Sequence, residues 1–323
     1  MDRFRKSRDL IGYGPNSGAQ KMSGAGEEQE SYRFEWVESP ADIARYLNSL
    51  YILRTGPDGV DDMMPAYSGQ LLVLLDGGGV MHFGKGRDVR TSPTFVQCPL
   101  TQAQKFEIDG NTVMLGVSLN FRGWAALTGL PVNENHDGYL GVDEVLPAEL
   151  AERVETIGPR VKSGELSERD ALDELANIVR EGLGELPERH QQVIDTTLDW
   201  LSSSFKPDIH VLLDKLPYSE RQVQRLVTQF FGAPPVRLIR RYRAMRAATL
   251  LSMPELEPGL EAEIREAFYD QAHMIKEIRH FTGRTPRRLL PKEHSVIKDT
   301  LAPAGYSSVD LFGGNQDEEL AKK

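Results

Sequence analysis

The chain has 323 residues, a formal net charge of −10, a pI near 5.3 and one cysteine. That length suits about two domains plus tails. Cys98 alone excludes an intramolecular disulfide and fits a reducing cytoplasm, and no apolar run approaches the 18 or so residues of a membrane span. The acidic total argues against nucleic-acid binding, so any such function has to come from local charge.

Residues 1–30 are polar and glycine-rich, lack the apolar stretch of a signal peptide, and read as a disordered tail. β character begins at Tyr32. Gln70–Leu75, the turn Asp76-Gly-Gly-Gly79 and Val80–Phe83 predict a hairpin. Thr94–Cys98, Gln104–Ile108 and Thr112–Leu119, separated by turns such as Asp109-Gly-Asn111, continue as short strands, so the region predicts a small β-barrel. From Asp143 the pattern turns helical, first over Pro147–Val154. It continues over Ser167–Leu183, with Leu172, Leu175, Ile178, Val179 and Leu183 as the apolar stripe.

Nothing in this half assembles a catalytic constellation. A metal-dependent barrel needs clustered His and carboxylate ligands, whereas the strands offer His82 alone and His136 lies in the polar loop Asn133–Asp137. The glycines at 77–79 and Gly84-Lys85-Gly86 lack the order of a phosphate loop. Cys98 reads as a buried strand residue, and Phe121, Trp124 and Leu127 read as core more than as an effector pocket. No catalytic residue, metal ligand or cofactor is therefore assigned.

The C-terminal half carries a repeat. Residues 218–235 and 269–286 correspond at an offset of 51 positions: Tyr218 with Tyr269, Ser219 with Asp270, Val223 with Met274, Arg225 with Lys276, Val227 with Ile278, Phe230 with Phe281, Gly232 with Gly283, Pro235 with Pro286. In the first copy Ser219 and Gln222 form a capping box and Tyr218 staples to Val223. Val223, Leu226, Val227, Phe230 and Phe231 make the buried stripe before Gly232 stops the helix. Arg221, Gln224, Arg225 and Thr228 line the opposite face, with side chains able to bond guanine, adenine or phosphate; a plain solvated face is the alternative. In the second copy Asp270 caps the helix and Met274, Ile278 and Phe281 form the seam. Its outer face keeps Gln271, His273, Lys276 and Arg279, but Ala272 and Ile275 stand where the first copy has Arg221 and Gln224, so it is expected to anchor more than to specify.

Between the copies, Pro235–Leu251 predicts a basic helix about 25 Å long, a spacer of the order needed for two successive major grooves. Arg237, Arg240, Arg241, Arg243 and Arg246 are expected along phosphates, with Leu238, Met245, Ala248 and Leu251 inward. Residues 206–253 hold nine Lys/Arg against three Asp/Glu, and 276–292 six basic residues including Lys292 against Glu277. DNA senses this local field, since screening sets in over roughly 8 Å at physiological salt.

From about Asp195 to Leu290 the chain resembles the paired helix-turn-helix domain of the AraC/XylS transcriptional regulators. The elements that match are Ser219-x-Arg221-x-Val223-x-Arg225, Gly232-x-x-Pro235, Phe268-Tyr-Asp270-Gln-Ala-His-Met274 and Phe281-Thr-Gly283-Arg-Thr-Pro286. The resemblance implies a C-terminal all-α, homeodomain-like double helix-turn-helix, and an N-terminal mainly-β, cupin-like barrel followed by helices that dimerise. Implied partners are double-stranded DNA, a second copy as homodimer, RNA polymerase and a small-molecule effector, in the cytoplasm and with no membrane. The expected DNA contacts are Arg221, Gln222, Gln224, Arg225, Thr228, Arg237, Arg240, Arg241, Gln271, Ala272, His273, Lys276 and Arg279. The expected division is a tail at 1–30, an effector and dimerisation domain at 31–186, a DNA-binding domain at 190–292 and a tail at 293–323. Departures from the family pattern lie at Leu213 with Pro217 and at Glu263 with Ala267, where a carboxylate between two helices would be buried unpaired; the Met253–Glu266 register, with Pro254 and Pro258, is not fixed by the sequence. A protein-interaction adaptor with a degenerate DNA-binding domain, and a cupin-type enzyme fused to one, are the alternatives.

Overall fold

The computed structural model describes residues 31–84, 86–252, 259–289 and 296–301. The expectations placed on residues 1–30, Lys85, Pro254, Pro258, Lys292 and the tail at 302–323 lie outside these, whereas 296–301, expected as part of the tail, is helical.

Among the described residues ten strands form two antiparallel sheets. The first contains β1 (Tyr32–Val37), β2 (Leu47–Thr55), β4 (Gln70–Asp76), β7 (Thr94–Gln97), β9 (Val113–Leu119) and β10 (Tyr139–Leu140), in the order β1-β2-β9-β4-β7-β10; the second contains β3 (Val60–Met64), β5 (Gly79–Phe83), β6 (Arg87–Arg90) and β8 (Gln104–Ile108), in the order β3-β8-β5-β6. The strands at 70–76 and 79–83 form as expected, but not as a hairpin. β4 pairs with β9 and β7 while β5 pairs with β8 and β6, so the glycine turn carries the chain from one sheet to the other. Its left-handed residue is Gly77, φ 73°, where a Cβ would lie 2.1 Å from the Thr112 hydroxyl. A single glycine also makes room inside the barrel, because a Cβ at Gly116 would overlap the Tyr51 ring.

Helix α1 (Phe121–Thr128) follows β9, capped by Asn120, whose side chain accepts from Gly123 N–H. Phe121 and Trp124 are fully buried, and the Trp124 indole N–H donates to Leu130 O at 2.9 Å. Helices α2 (Ala148–Lys162) and α3 (Glu168–Gly182) pack on the first sheet; Leu172, Leu175, Ile178 and Val179 are buried as the spacing requires, while Leu183 is half-buried.

The C-terminal part is helical: α4 (Glu188–Ser202), α5 (Ile209–Lys215), α6 (Glu220–Phe231), α7 (Pro235–Ser252), α8 (Leu260–Ala267), α9 (Gln271–Thr282), α10 (Pro286–Leu289) and α11 (Val296–Leu301). α5–α6 and α8–α9 are the two helix-turn-helix units. Glu263 is exposed, because the register of α8 turns Ile264 and Ala267 inward instead; the unpaired buried carboxylate anticipated there does not occur.

One apolar core runs unbroken from Leu71, Val73 and Val117 of the barrel through Phe121 and Trp124 to Val227, Phe231 and Leu238. The Phe121 and Phe231 rings lie 4.8 Å apart. The barrel and the helical part thus share a continuous buried interior.

Candidate nucleic-acid interface

Each reading helix is built from its own short sequence. For α6, Gln222 Oε1 accepts from the Ser219 backbone N–H at 3.0 Å and from its hydroxyl at 2.9 Å, closing the capping box. Gly232, at φ 77°, ends the helix and Gly283, at φ 73°, ends α9 in the same way. The αL conformation is nearly free for glycine and costly for residues with a Cβ. In α9, Asp270 caps by accepting from His273 N–H at 2.7 Å.

The amphipathic division then decides which side chains face out. Val223, Leu226, Val227, Phe230 and Phe231 are buried; Arg221, Gln222, Gln224 and Arg225 are exposed and Thr228 is half-exposed, so the first reading face stands on one side of the helix. On α9, Ala272, Ile275, Lys276 and Arg279 are exposed and Gln271 is half-exposed.

His273 departs from the expectation of a base contact. Its Nε2 lies 3.1 Å from Glu277 Oε1 and its Nδ1 is buried without a partner, so neither ring nitrogen is presented outward.

Helix α7 departs from it more. Arg237 and Arg240 are exposed, but Arg241 is 5 % exposed and turns into the molecule, donating from Nη2 to Ala66 O at 2.9 Å with its guanidinium 5.3 Å from the centre of the Phe121 ring. Arg243 is buried over the Phe268 ring, and Arg246 donates to Ser202 O over the Phe205 ring. These three arginines are not along an outer face, because α7 is the central helix of the domain and its neighbours cover both flanks. Only Arg237 and Arg240 keep the expected surface position.

Glu277 was hidden among surface charges in the sequence. It is 1 % exposed, and its carboxylate collects Arg240 Nε at 2.7 Å, Arg243 Nε at 3.2 Å and His273. Burial pushes its pKa up, but the Arg243 and Arg240 hydrogen bonds and the Arg243 and His273 charges outweigh that and hold it below the usual carboxylate value. A usable signal existed: Glu277 sits three residues after Met274 and four before Phe281, on the apolar seam.

The barrel grips both reading helices, at equivalent positions of the repeat. Val132 N–H donates to Gln229 O at 2.7 Å, and Ala103 N–H donates to His280 O at 3.0 Å, 51 positions on. Ala66 N–H adds a bond to Phe281 O at 2.7 Å. These are helix-end carbonyls that have no partner inside their own helix. Asp62 of β3, 5 % exposed, accepts from Arg284 just after α9 and from Val296 N–H at 2.9 Å, tying the second unit and α11 to the barrel. Two loops of the barrel half therefore stand beside the reading faces. Pro131, Asn133 and Glu134 form one wall of a cleft whose other wall is Arg221, Gln224, Arg225 and Thr228. Gln102–Gln104 and Gly84 face Ala272, Ile275, Lys276 and Arg279 in the same manner.

Away from these clefts the described residues also line partly open hollows. A cavity of about 320 Å³ lies between α1, the 184–190 segment and α6, walled by Trp124, Leu130, Leu186, His190 and Phe230. The barrel interior, lined by Tyr51, Gln70, Gln97 and Tyr139, holds about 50 Å³. Trp124 thus packs as core and also walls the junction cavity. Among the described residues no three His, Cys, Asp or Glu cluster as metal ligands, and no helix is long and apolar enough to cross a membrane. His82 bridges Asp88 and Glu107 on the surface, while Cys98 is 3 % exposed, with burial pushing its thiol up to about 12.

Residues 212–292 match the family model of a helix-turn-helix domain. This part of the chain is a paired helix-turn-helix domain, with the caps, seam and terminal glycines of both units in place. Curated proteins yield no match. Solved structures similar to the chain include ToxT from Vibrio cholerae O395, 8% identical over 82% of this chain and 100% of that one, TM-score 0.41. The AraC-like transcriptional activator CuxR is 14% identical over 67% and 86%, TM-score 0.28, and a cupin superfamily protein from Desulfitobacterium hafniense DCB-2 is 17% identical over 30% and 83%, TM-score 0.23. The architecture itself rests on the strands and helices described above.

Proposed function

We propose that the chain is a sequence-specific DNA-binding transcription regulator. Residues 190–292 bind DNA and residues 31–186 control access to it. α6 specifies the site through Arg221, Gln224 and Arg225, with Gln222 and Thr228 at its edges. α9 anchors through Gln271, Ala272, Lys276 and Arg279, and Arg237 and Arg240 hold phosphates. The observation that carries this reading is the exposed Arg/Gln face of α6, mounted on a capped, glycine-terminated helix whose frame recurs 51 residues later.

The control follows from the width of the groove. A helix with its side chains is about 10–12 Å across and the B-DNA major groove about 12 Å wide. A reading helix in the groove leaves no room for a loop packed along its face, so 131–134 and 102–104 have to withdraw before DNA is bound by both helices. The barrel half, clasped to Gln229, His280 and Phe281, is then a competitor of DNA. The junction cavity, at the lower end of the range for small-molecule sites, is the space where an effector touching both halves would bias that competition.

Fluorescence anisotropy on DNA from upstream of the chain's own gene, with a salt titration, tests the main reading. Specific binding that weakens steeply with salt is expected, as several phosphates are contacted. Affinity indifferent to sequence would defeat it.

A further inference from the structure

Among the groups the proposed function leaves unused, the buried Glu277 carboxylate has the most structure around it. It sits on α9, yet two of its three partners, both arginines, come from α7. Both oxygens are occupied: Oε1 by Arg240 Nε and His273 Nε2, Oε2 by Arg243 Nε and Nη2. A carboxylate so deep is tolerated only when paired and hydrogen-bonded. Its partners differ in depth. Arg243, 9 % exposed, is an interior counter-ion, whereas Arg240 is 50 % exposed. Arg240 spends its Nε on Glu277, so the outer end of its planar fork is held at the surface beside α9. The Arg240 charge also reaches His280 of that helix: after burial, Arg240 is the next cause holding that imidazole pKa down, and Lys276 contributes as well, so Arg240 and Lys276 belong to one cationic rim.

We infer that Glu277 is a positioning residue for DNA binding: from inside the α7–α9 junction it aims the Arg240 guanidinium at a backbone phosphate flanking the second reading helix. This rests on the DNA-binding reading above. Free arginine carries several rotatable bonds, and ordering it on contact costs binding free energy; a guanidinium already fixed through Nε loses less per bond it then makes. A buried acid in a DNA-binding helix is otherwise electrostatically unfavourable, and here its charge is spent on cations that it organises.

The test is a double-mutant cycle read in DNA affinity, with Glu277→Gln and Arg240→Gln alone and together in the full chain, checked for folding by urea midpoint. Arg240→Gln is expected to weaken cognate binding about tenfold or more and to lower the salt slope by about 0.9, one phosphate's worth. Glu277→Gln is expected to weaken binding similarly on the wild-type background and by no more than about twofold on the Arg240→Gln background. Equal fold-losses on both backgrounds mean that Glu277 acts on stability alone, and overturn the proposal.

If Glu277→Gln does not fold, Arg240→Lys decides. Lysine keeps the charge but its single ammonium lacks a fork to share between carboxylate and phosphate, so affinity should fall nearly to that of Arg240→Gln. Wild-type affinity in Arg240→Lys overturns the proposal. A wild-type chain that binds no DNA removes the DNA-binding reading and this inference with it, which sets that failure apart from a cycle without coupling.

Discussion

If the barrel half competes with DNA, loosening its grip should improve DNA binding, and Asp62 is the place to loosen it. Asp62 is 5 % exposed and takes Arg284 and the Val296 N–H at once, while Arg284 is 24 % exposed. Removing one partner of a buried pair costs about 3–5 kcal/mol; with Arg284 partly in solvent, about 2–3 kcal/mol is a fair figure for Asp62→Ala. Every 1.4 kcal/mol is tenfold, so the docking equilibrium shifts by roughly 30- to 140-fold toward the open form. The observed gain in DNA affinity is capped by the fraction of chains already open in the wild type, because apparent affinity scales with that fraction. Anisotropy titration of wild type, Asp62→Ala and Asp62→Ala/Arg284→Ala on cognate DNA measures it. The double variant is essential, since Asp62→Ala also releases a cation that could itself touch phosphate. A gain that persists without Arg284 supports competition. Unchanged or weaker binding in both variants, with urea midpoints showing folded protein, refutes it.

Three more outcomes are expected. Arg225→Ala should cost about 1–3 kcal/mol on cognate DNA and relax preference at one base pair, whereas Arg237→Ala should weaken all sequences alike; competition titrations against single-base variants of the site separate the two, and equal loss from Arg225→Ala on cognate and random DNA removes its reading role. Phe231→Ala, which deletes a ring 1 % exposed that stands 4.8 Å from Phe121, should lower unfolding stability by about 3–5 kcal/mol in urea titration; a loss below about 1 kcal/mol would mean that the core does not cross between the halves as described. Glu277 has its folded pKa depressed, so its contribution to stability is present above the unfolded value of about 4.5 and lost as pH falls through the lower, folded value. Urea midpoints taken from pH 6 downward should therefore show a shallower acid decline in Glu277→Gln than in wild type, and superimposable declines would show that the ion cluster does not stabilise the fold.

Much of this protein was legible in its residues. Caps, stop glycines and the 3.6-residue stripe placed α6 and α9 to within about a residue, and the exposure of Arg221, Gln224 and Arg225 followed from being opposite Val223, Val227 and Phe230. Apart from β6 at 87–90, which carried no such signal, the strands at 70–76, 79–83, 94–97, 104–108 and 113–119 came from alternation and turn residues in the same way. Their pairing did not. A Gly-rich turn between two apolar runs predicts a hairpin only if both strands stay in one sheet, and here β4 pairs with β7 and β9 while β5 pairs with β6 and β8 in the other sheet.

The arginines of α7 show the same limit. A run of basic residues specifies charge but not direction, and Arg241 turns inward because Ala66 O and the Phe121 ring, remote in sequence, wait there. Local hydrogen-bond geometry and periodicity act between near neighbours, so the sequence by itself determined two capped helices with a basic face. Long-range packing alone decided that the barrel holds both of them by Gln229 and His280, and that Glu277, on the buried seam, gathers cations from the helix next door.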